Sequence, residues 1–362
     1  MKKVTAYGGD FSIVAVPTLR SPSQMSMFEQ GYFLPNWECY PKTQEVICMC
    51  TAVSFSHFFG RTLDHSCTYG EEVVFTPRKY PLPIRRAQSL GRHHAIIGMA
   101  HVENGYPLYY DAMNEHGLCM AGLNFEGFAH YGGTARDQIA AFELIPWILG
   151  QCRTVAEARP FLGRLSITEE GFSPELPAAQ LHWMLSDRHE SITIEAMEGG
   201  LRIWENPVGV LTNAPPFDDQ MRRLSDLMHL SPGQPHNHIA PALDLRPYCL
   251  GMGAIGLPGD LSSQSRFLRA AFTKLHAVPG GVGQFFRILD TVVQVKGCCR
   301  TADGGYEQTL YSSCCDMENG IYYYITGTSH RITGIDLSRE NPAGEQLKRW
   351  PLMDSEDILL QN

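Results

Sequence analysis

The sequence feature that most constrains the fold is a cysteine at the head of a hairpin pattern. Cys50 begins an apolar, β-branched run, and a short polar break at Ser56-His57 follows that run. A second run then ends in the motif Arg61-x-x-Asp64. Two such runs separated by a short polar break predict antiparallel strands joined by a turn. A hairpin of this kind returns a guanidinium and a carboxylate to the neighbourhood of the thiol.

Met49 stands directly before this cysteine. If Met49 is the real start of the chain and is removed, Cys50 becomes the N-terminal residue and carries both a nucleophile and a base, its own α-amine. An α-amino group titrates near ~8 and a thiol near ~8.5, so the two can exchange a proton near neutral pH. A cysteine in a strand is more often a small buried hydrophobe. In this context we interpret Cys50 as the nucleophile of an N-terminal-nucleophile amidohydrolase.

Residues 1–48 show no sustained hydrophobic period and contain scattered prolines and aromatic residues. The residues Gln44-Glu45-Val46 can be encoded by CAG-GAG-GTN, which contains a purine-rich ribosome-binding site shortly before Met49. We therefore predict that residues 1–49 are a mis-called N-terminal extension; the alternative is a pro-segment that is removed. Such segments are set aside in fold reasoning. We expect residues 50–362 to form a single catalytic domain.

Composition excludes several classes of protein. The hydrophobic fraction of 44% and charged fraction of 19% are those of an ordinary globular protein with a sizeable core. The net charge of -9 argues against nucleic acid or an anionic membrane as the main partner. The sequence has no apolar run long enough for a transmembrane helix and no secretory h-region near residue 1. We therefore expect a cytoplasmic protein whose eleven cysteines are thiols.

Clusters of cysteine and histidine raise the question of a metal site. The pairs Cys298-Cys299 and Cys314-Cys315 lack the C-x2-C spacing and matching histidines of zinc sites. The pairs at 93–94 and 236–238 also lack a second pair of ligands at useful spacing, so surface loop histidines are the better interpretation. We expect no metal.

The periodicity of the chain after Cys50 predicts many strands with helices between them. Strands are predicted at 73–77, 96–102 and 118–125, with a turn at 114–117, and hairpins at 192–204 and 311–325. Asn319-Gly320 is a strong type I′ turn signal for the second hairpin. Helices are predicted at 142–149, from Thr154 as a cap, around 218–230 and at 265–275. This order favours an α+β fold with two layered antiparallel sheets and helices outside them.

Several separated motifs make the chain resemble the choloylglycine hydrolase family, which contains bile salt hydrolases and penicillin V acylases. The resemblance runs from Met49 to about Tyr324. It rests on CTA at 50–52, FGRTLD at 59–64, NEHGL at 114–118, AGLNF at 121–125, LHW at 181–183, NPVGVLTN at 206–213, GLPGDLSSQSRF at 256–267 and GIYYY at 320–324. It implies the four-layer αββα sandwich of N-terminal-nucleophile hydrolases, with two antiparallel sheets between helical layers, and no cofactor.

The resemblance also implies catalytic roles. Cys50 attacks an amide carbonyl, Arg61 favours its thiolate, and Asp64 accepts hydrogen bonds from its amine. Asn213 helps to bind the tetrahedral oxyanion with its side-chain amide, and Asn124 supplies a second donor from its backbone or side chain. A sixth residue, Arg266, completes the charge network around the nucleophile.

The expected reaction is hydrolysis of the amide bond in glycine- or taurine-conjugated bile acids. Bile salt hydrolases tend to carry Asn at the position of Asn124, where penicillin V acylases tend to carry Tyr. Leu63, Phe125 and Phe128 are candidates to line an apolar acyl pocket, although a core role for each is an open alternative. Acylases of penicillin V or of N-acyl-homoserine lactones are alternatives with the same nucleophile. A bile-acid-binding protein without activity is the non-enzyme alternative, and the family suggests a homotetramer.

The hairpin departs from the family in one respect. The stretch between nucleophile and arginine is usually a few residues longer, with a polar turn, whereas residues 56–58 form a contracted version here. A slip of one residue would turn every side chain of a strand to the other face, so we expect a different turn or a bulge to absorb the contraction.

Overall fold

A computed structural model describes residues 49–302, 304–353 and 355–362. The predicted extension, residues 1–48, lies outside the described residues. At the start of the described chain, β1 (Met49–Phe55) and β2 (Phe58–His65) form the predicted hairpin. The turn has two residues, Ser56 and His57, and only Ser56 has a positive φ, of 58°. This turn absorbs the contraction, because the β1–β2 register continues without a bulge from Phe55 opposite Phe58 to Met49 opposite Asp64.

The hairpin lies inside the first of two antiparallel sheets. Within this sheet, β2 pairs on its other side with β14 (Tyr306–Asp316), and β1 pairs on its other side with β12 (Val210–Leu211), a strand of two residues. In spatial order the strands are β12 (Val210–Leu211), β1, β2, β14 (Tyr306–Asp316), β15 (Ile321–Thr326) and β16 (Thr333–Asp336), with β13 (Cys299–Arg300) paired to β14.

The second sheet is antiparallel throughout. Its strands, in spatial order, are β11 (Gly200–Glu205), β10 (Ser191–Met197), β9 (Leu181–Ser186), β6 (Cys119–Asn124), β5 (Tyr106–Asn114), β4 (Ile96–Glu103), β3 (Glu72–Thr76) and β17 (Lys348–Pro351). A separate parallel pair consists of β7 (Asp137–Ala140) and β8 (Leu165–Thr168).

Side-chain alternation divides the second sheet between two cores. Val73 and Phe75 belong to a cluster with the first sheet, while Val74 belongs to a cluster with the helices on the opposite side. This is the period-2 pattern of strands buried on both faces. The helices over the second sheet are α1 (Leu144–Gln151) and α2 (Val155–Leu162); those over the first sheet are α4 (Ser263–His276) and α5 (Val282–Asp290), with α3 (Phe217–Ser225) against α4. The predicted αββα sandwich is confirmed.

Helix starts agree with their sequence signals. Thr154 accepts a hydrogen bond from the backbone of Glu157 and caps α2, as its position predicts. Ser262 accepts one from Ser265 and caps α4. The helix predicted around 218–230 is shorter than expected, because α3 ends at Ser225. None of the helices in the described part of the chain has both the length and the hydropathy to span a membrane.

The type I′ turn predicted at Asn319-Gly320 is wrong. Four residues connect β14 and β15, and of these only Gly320 has a positive φ, of 67°. The cause is Asp316, whose Oδ1 accepts hydrogen bonds from the backbone of Glu318 and Asn319 and whose carbonyl accepts one from Gly320. An aspartate that bonds the backbone after it favours this wider turn.

Candidate active site

The hairpin places the thiol and the first arginine on one face of the sheet. Cys50 lies opposite Leu63 and Ala52 lies opposite Arg61, so all four side chains share a face. The Nη2 atom of Arg61 donates to the Sγ of Cys50. Both residues are buried, with 1% of each exposed. A cation in direct contact with a sulfur favours the thiolate, and the thiolate is the nucleophilic form.

Arg61 is fixed by carbonyl groups from both sheets. Its Nη1 donates to the carbonyls of Gly122, at 2.7 Å, and Tyr110, at 3.2 Å, while Nε donates to Thr62. A buried charge is tolerated when its donors are satisfied in this way. The guanidinium is therefore held against the thiol and has little freedom to swing away.

A buried carboxylate that sequence reasoning missed lies on the second sheet. Asp111 accepts hydrogen bonds from the hydroxyls of Tyr311, at 2.8 Å, and Tyr322, at 2.7 Å. Burial raises its pKa, and the positive charge of Arg61 and these hydroxyls oppose the rise. The available signal was a single acid inside an otherwise uncharged strand, β5.

Asp64 lies across the hairpin from Met49. Its Oδ1 accepts from the hydroxyl of Thr309 at 2.6 Å, and its Oδ2 accepts from Thr62 and Gln294. Burial raises the pKa of Asp64, while the charge of Arg266, the Thr309 hydroxyl and the charge of Arg61 act in the opposite direction. The carboxyl is thus anchored beside the start of β1.

The side chain of Asn213 joins the backbone of Cys50 to the second arginine. Its Oδ1 accepts from the backbone nitrogen of Cys50, at 2.8 Å, and from Nη2 of Arg266, at 2.7 Å. Two donors at Oδ1 fix the orientation of the amide. Its Nδ2 therefore faces the other way, where it donates to the carbonyl of Asn124 at 2.9 Å.

Arg266 reaches the hairpin from α4. Its Nη1 donates to the carbonyl of Cys50 and, at 2.7 Å, to the hydroxyl of Thr51. The side chain is completely buried. The structure therefore brings five predicted residues into one hydrogen-bonded group, with Asp64 next to it: Cys50, Arg61, Asn124, Asn213 and Arg266.

Beside the thiol lies an apolar cavity of about 370 Å³. Cys50, Arg61 and Asn124 lie on its wall, together with Leu63, one of the three predicted pocket residues. Most of the remaining wall is aromatic or aliphatic and comes from β5 and from residues 142–181: Leu108, Tyr109, Tyr110, Phe142, Phe172, Leu176 and Leu181. A mainly apolar wall with a few convergent polar groups is typical of a site for a small organic ligand.

The structure does not place Phe125 and Phe128 on this wall. Phe125 is fully buried and stacks on His182, with ring centroids 4.3 Å apart, while Phe128 lies against Phe125 and is 37% exposed. The reason is strand alternation: Asn124 faces the cavity, so the next side chain points to the other face. The pocket role predicted for these two residues is corrected accordingly.

The histidine pair at 93–94 was also misjudged as two surface residues. His93 is buried, and the Nδ1 of His94 lies 3.1 Å from the Nε2 of His116, with Glu115 next to both. The carboxylate of Glu115 is already engaged by the guanidinium of Arg78 through both oxygens. The cluster is therefore an ion-paired group, and we assign no metal to it.

Comparisons with known proteins agree with this geometry. A family profile described as linear amide C-N hydrolases, choloylglycine hydrolase family, matches residues 49–358. The chain belongs to the choloylglycine hydrolase family. It is therefore a hydrolase that acts on linear amide bonds.

Two relatives and three solved structures illustrate the likeness. A bile salt hydrolase/transferase of Lactiplantibacillus plantarum is 49% identical over 84% of this chain and 97% of its own. One from Clostridium perfringens is 32% identical over 83% and 96%. Crystal structures of two variants of conjugated bile acid hydrolase from Clostridium perfringens superpose with a TM-score of 0.81 at 30% identity, covering 87% of this chain and 100% of that chain. Penicillin V acylase from Agrobacterium tumefaciens shares the fold, with a TM-score of 0.65 at 20% identity over 84% of this chain and 91% of its own.

Replacing Arg61 with Met should slow alkylation of Cys50 at neutral pH by about tenfold or more, because the sulfur loses the cation that favours its thiolate. Iodoacetamide labelling followed by peptide mass spectrometry measures this rate without any turnover. Arg61→Lys keeps a positive charge and is the matched control, with an intermediate rate expected. Equal rates for the Met variant and the parent would remove Arg61 from thiolate stabilisation.

Proposed function

We propose that this protein hydrolyses the amide bond of bile acids conjugated to glycine or taurine. The observation that carries the proposal is a thiol in contact with a guanidinium on the wall of an apolar cavity of about 370 Å³. A steroid acid has a rigid apolar body and one amide at its end, which matches such a cavity with its nucleophile on the wall. The 49% identity to a bile salt hydrolase/transferase supports the same substrate.

The proposed first half-reaction is acyl transfer to sulfur. The thiolate of Cys50 attacks the amide carbonyl, and the carbonyl oxygen becomes an oxyanion. The Nδ2 group of Asn213 and a donor of Asn124 are proposed to bind that oxyanion; one such donor typically contributes ~10²–10³ in rate. When the C–N bond breaks, the α-amine of Cys50 gives its proton to the departing glycine or taurine nitrogen. Water then hydrolyses the thioester and releases the bile acid.

This mechanism needs a free amine at Cys50. A peptide nitrogen cannot accept a proton at a working pH, so a chain in which Met49 is still attached has no base at this position. The family profile begins at Met49, and the match to the relative from Lactiplantibacillus takes in 97% of that protein but only 84% of this chain. Both observations support a mature catalytic domain of residues 50–362.

Two rival functions use the same site. An acylase of penicillin V or of N-acyl-homoserine lactones would use the same nucleophile on a different acyl group. A binding protein for bile acids would keep the cavity, but it would have no need of the hydrogen-bonded group of side chains around Cys50. The hydrogen bonds from Arg61 to the sulfur and from Arg266 to Asn213 favour an enzyme over a binder.

A chain starting at Cys50 should release free glycine from glycocholate faster than it cleaves penicillin V. Amino-acid analysis for glycine and an assay for the amine released from penicillin V, both with Cys50→Ser as the matched control, measure this. Ser should abolish release with the fold retained, because a hydroxyl is poorly activated by a weak amine base. Preferred cleavage of penicillin V would replace the substrate assignment, and release by the Ser variant within tenfold of the parent would remove Cys50 as nucleophile.

A chain engineered to begin Met49-Cys50 should be fully active, because the small second residue allows removal of the initiating Met. The 362-residue chain should be inactive until it is cut before Cys50, since the nucleophile lacks its base. Intact mass and glycine release, measured on the same samples, relate activity to the N-terminus. A mass-verified uncut chain as active as the short one would contradict the proposed base.

We also propose a cytoplasmic homotetramer. Exposed apolar side chains concentrate in the segment after α3, including Met228, Ile239, Tyr248 and Leu250, each more than 80% exposed. Such a patch is typical of a protein interface. Light scattering should give four times the chain mass, and the double variant Tyr248→Asp, Leu250→Asp should give a lower mass. A monomeric parent would refute the tetramer.

The exposed thiols of Cys249 and Cys298 fit a reducing compartment such as the cytoplasm. Cell fractionation tests this location directly.

A further inference from the structure

Glu307 is a buried carboxyl near the nucleophile that the proposed mechanism leaves without a role. It lies on β14, two residues before Thr309, so both side chains point to the face on which Asp64 lies. Only 2% of the residue is exposed, and among the described residues its carboxyl has no side-chain hydrogen bond and interacts with the backbone of Met49. A buried carboxyl with so few polar contacts costs free energy, so native proteins keep one only for a reason.

The groups that face Glu307 come from each neighbouring element. They are the backbone of Met49 and the thiol of Cys50 on β1, Asp64 on β2, Arg266 on α4 and Cys299, its cross-strand neighbour on β13. Burial, together with the charges of Asp64 and Cys50, raises the pKa of Glu307 to about 8, against the opposing effects of Arg266 and the Met49 backbone. With Met49 attached, the carboxyl therefore faces a neutral peptide group and is largely protonated at neutral pH.

We propose that Glu307 is the positioning residue whose carboxylate receives the α-ammonium group of Cys50 once Met49 has been removed. The inference rests on the proposed N-terminal nucleophile. The strand register places Met49, Asp64 and Thr309 in one row across β1, β2 and β14, and Glu307 interacts with the backbone of Met49. The nitrogen of Cys50 is the next backbone nitrogen along the chain, and after cleavage it becomes the chain terminus near an acid that has lost the Met49 backbone.

The chemical consequence is a stronger base. When the thiol gives its proton to the amine, the new ammonium lies next to a carboxylate, which favours the charged form. Asn213 already accepts a hydrogen bond from the same nitrogen and can keep doing so. Glu307 acts through the amine and need not touch the substrate, and Asp64, held by Thr309, Thr62 and Gln294, keeps the role of acceptor for the same amine that the sequence predicts for it.

The direct test measures the pKa of the terminal amine without turnover. In a chain that begins at residue 50 and carries Cys50→Ser, pulse acetylation at a series of pH values, read by mass spectrometry of the N-terminal peptide, gives that pKa. Glu307→Gln should lower it by about one unit or more, because an adjacent opposite charge is lost. Glu307→Asp should lower it less. Because no substrate is used, failure of the bile-acid proposal leaves this result intact.

The matched control is Glu72→Gln, another buried glutamate on a strand, which pairs with Arg349 at the edge of the second sheet. It should leave the amine pKa unchanged. An amine pKa that is the same in the Gln variant and the parent overturns the proposal. If the Gln variant does not fold, the Asp variant decides, since a retracted carboxylate should still lower the amine pKa and an unchanged value contradicts the inference.

A second readout separates this role from a structural one. With Cys50 intact, both limbs of the pH profile of kcat/KM should move to lower pH in Glu307→Gln, because each limb involves the ammonium form of the amine. Loss of packing alone would lower the rate at every pH and leave the limbs in place, and that outcome would assign Glu307 a structural role instead.

Discussion

The contact between Arg61 and the sulfur of Cys50 is the interaction on which the site depends. It exists because the hairpin register puts both side chains on one face and because carbonyls of β5 and β6 hold the guanidinium. The arginine therefore joins the two sheets at the point where Cys50 lies. A change in register by one residue would turn the thiol away from the cation and from the cavity.

Charged side chains surround Cys50 on both faces of the first sheet. On the inner face, Arg61 is balanced by Asp111 across the gap between the sheets. On the outer face, Arg266 lies near Asp64 and Glu307. Asp111 and Asp64 accept hydrogen bonds from side-chain hydroxyl or amide donors, whereas Glu307 accepts none from a side chain among the described residues. It interacts instead with the backbone of Met49.

Local patterns predicted local structure well. The first hairpin, the cap at Thr154 and the two-sheet architecture could be predicted because each depends on alternation, turn length or a capping side chain. The type I′ turn predicted at 319–320 was wrong because Asp316, a residue outside the dipeptide, determines the conformation of the loop. The pocket role predicted for Phe125 and Phe128 was wrong because the face on which a residue lies at the end of a strand depends on packing.

Contacts distant in sequence escaped prediction from pattern alone. Asp111 meets its tyrosines, and Glu307 meets the start of β1, only after the sheets have formed. Asn213 and Arg266 were identified through family motifs, because no local spacing relates them to Cys50. Periodicity thus gives the scaffold, while the composition of the site depends on which strands become neighbours.

The most direct test of the account is the mass of the reaction intermediate. Enzyme quenched with acid during turnover of glycocholate, then digested with pepsin at low pH so that the acyl group stays on sulfur, should show by mass spectrometry a cholyl thioester on a peptide that begins at Cys50 with a free α-amine. A cholyl adduct on another residue, or on a peptide that still carries Met49, would contradict the central claim that one residue supplies both nucleophile and base.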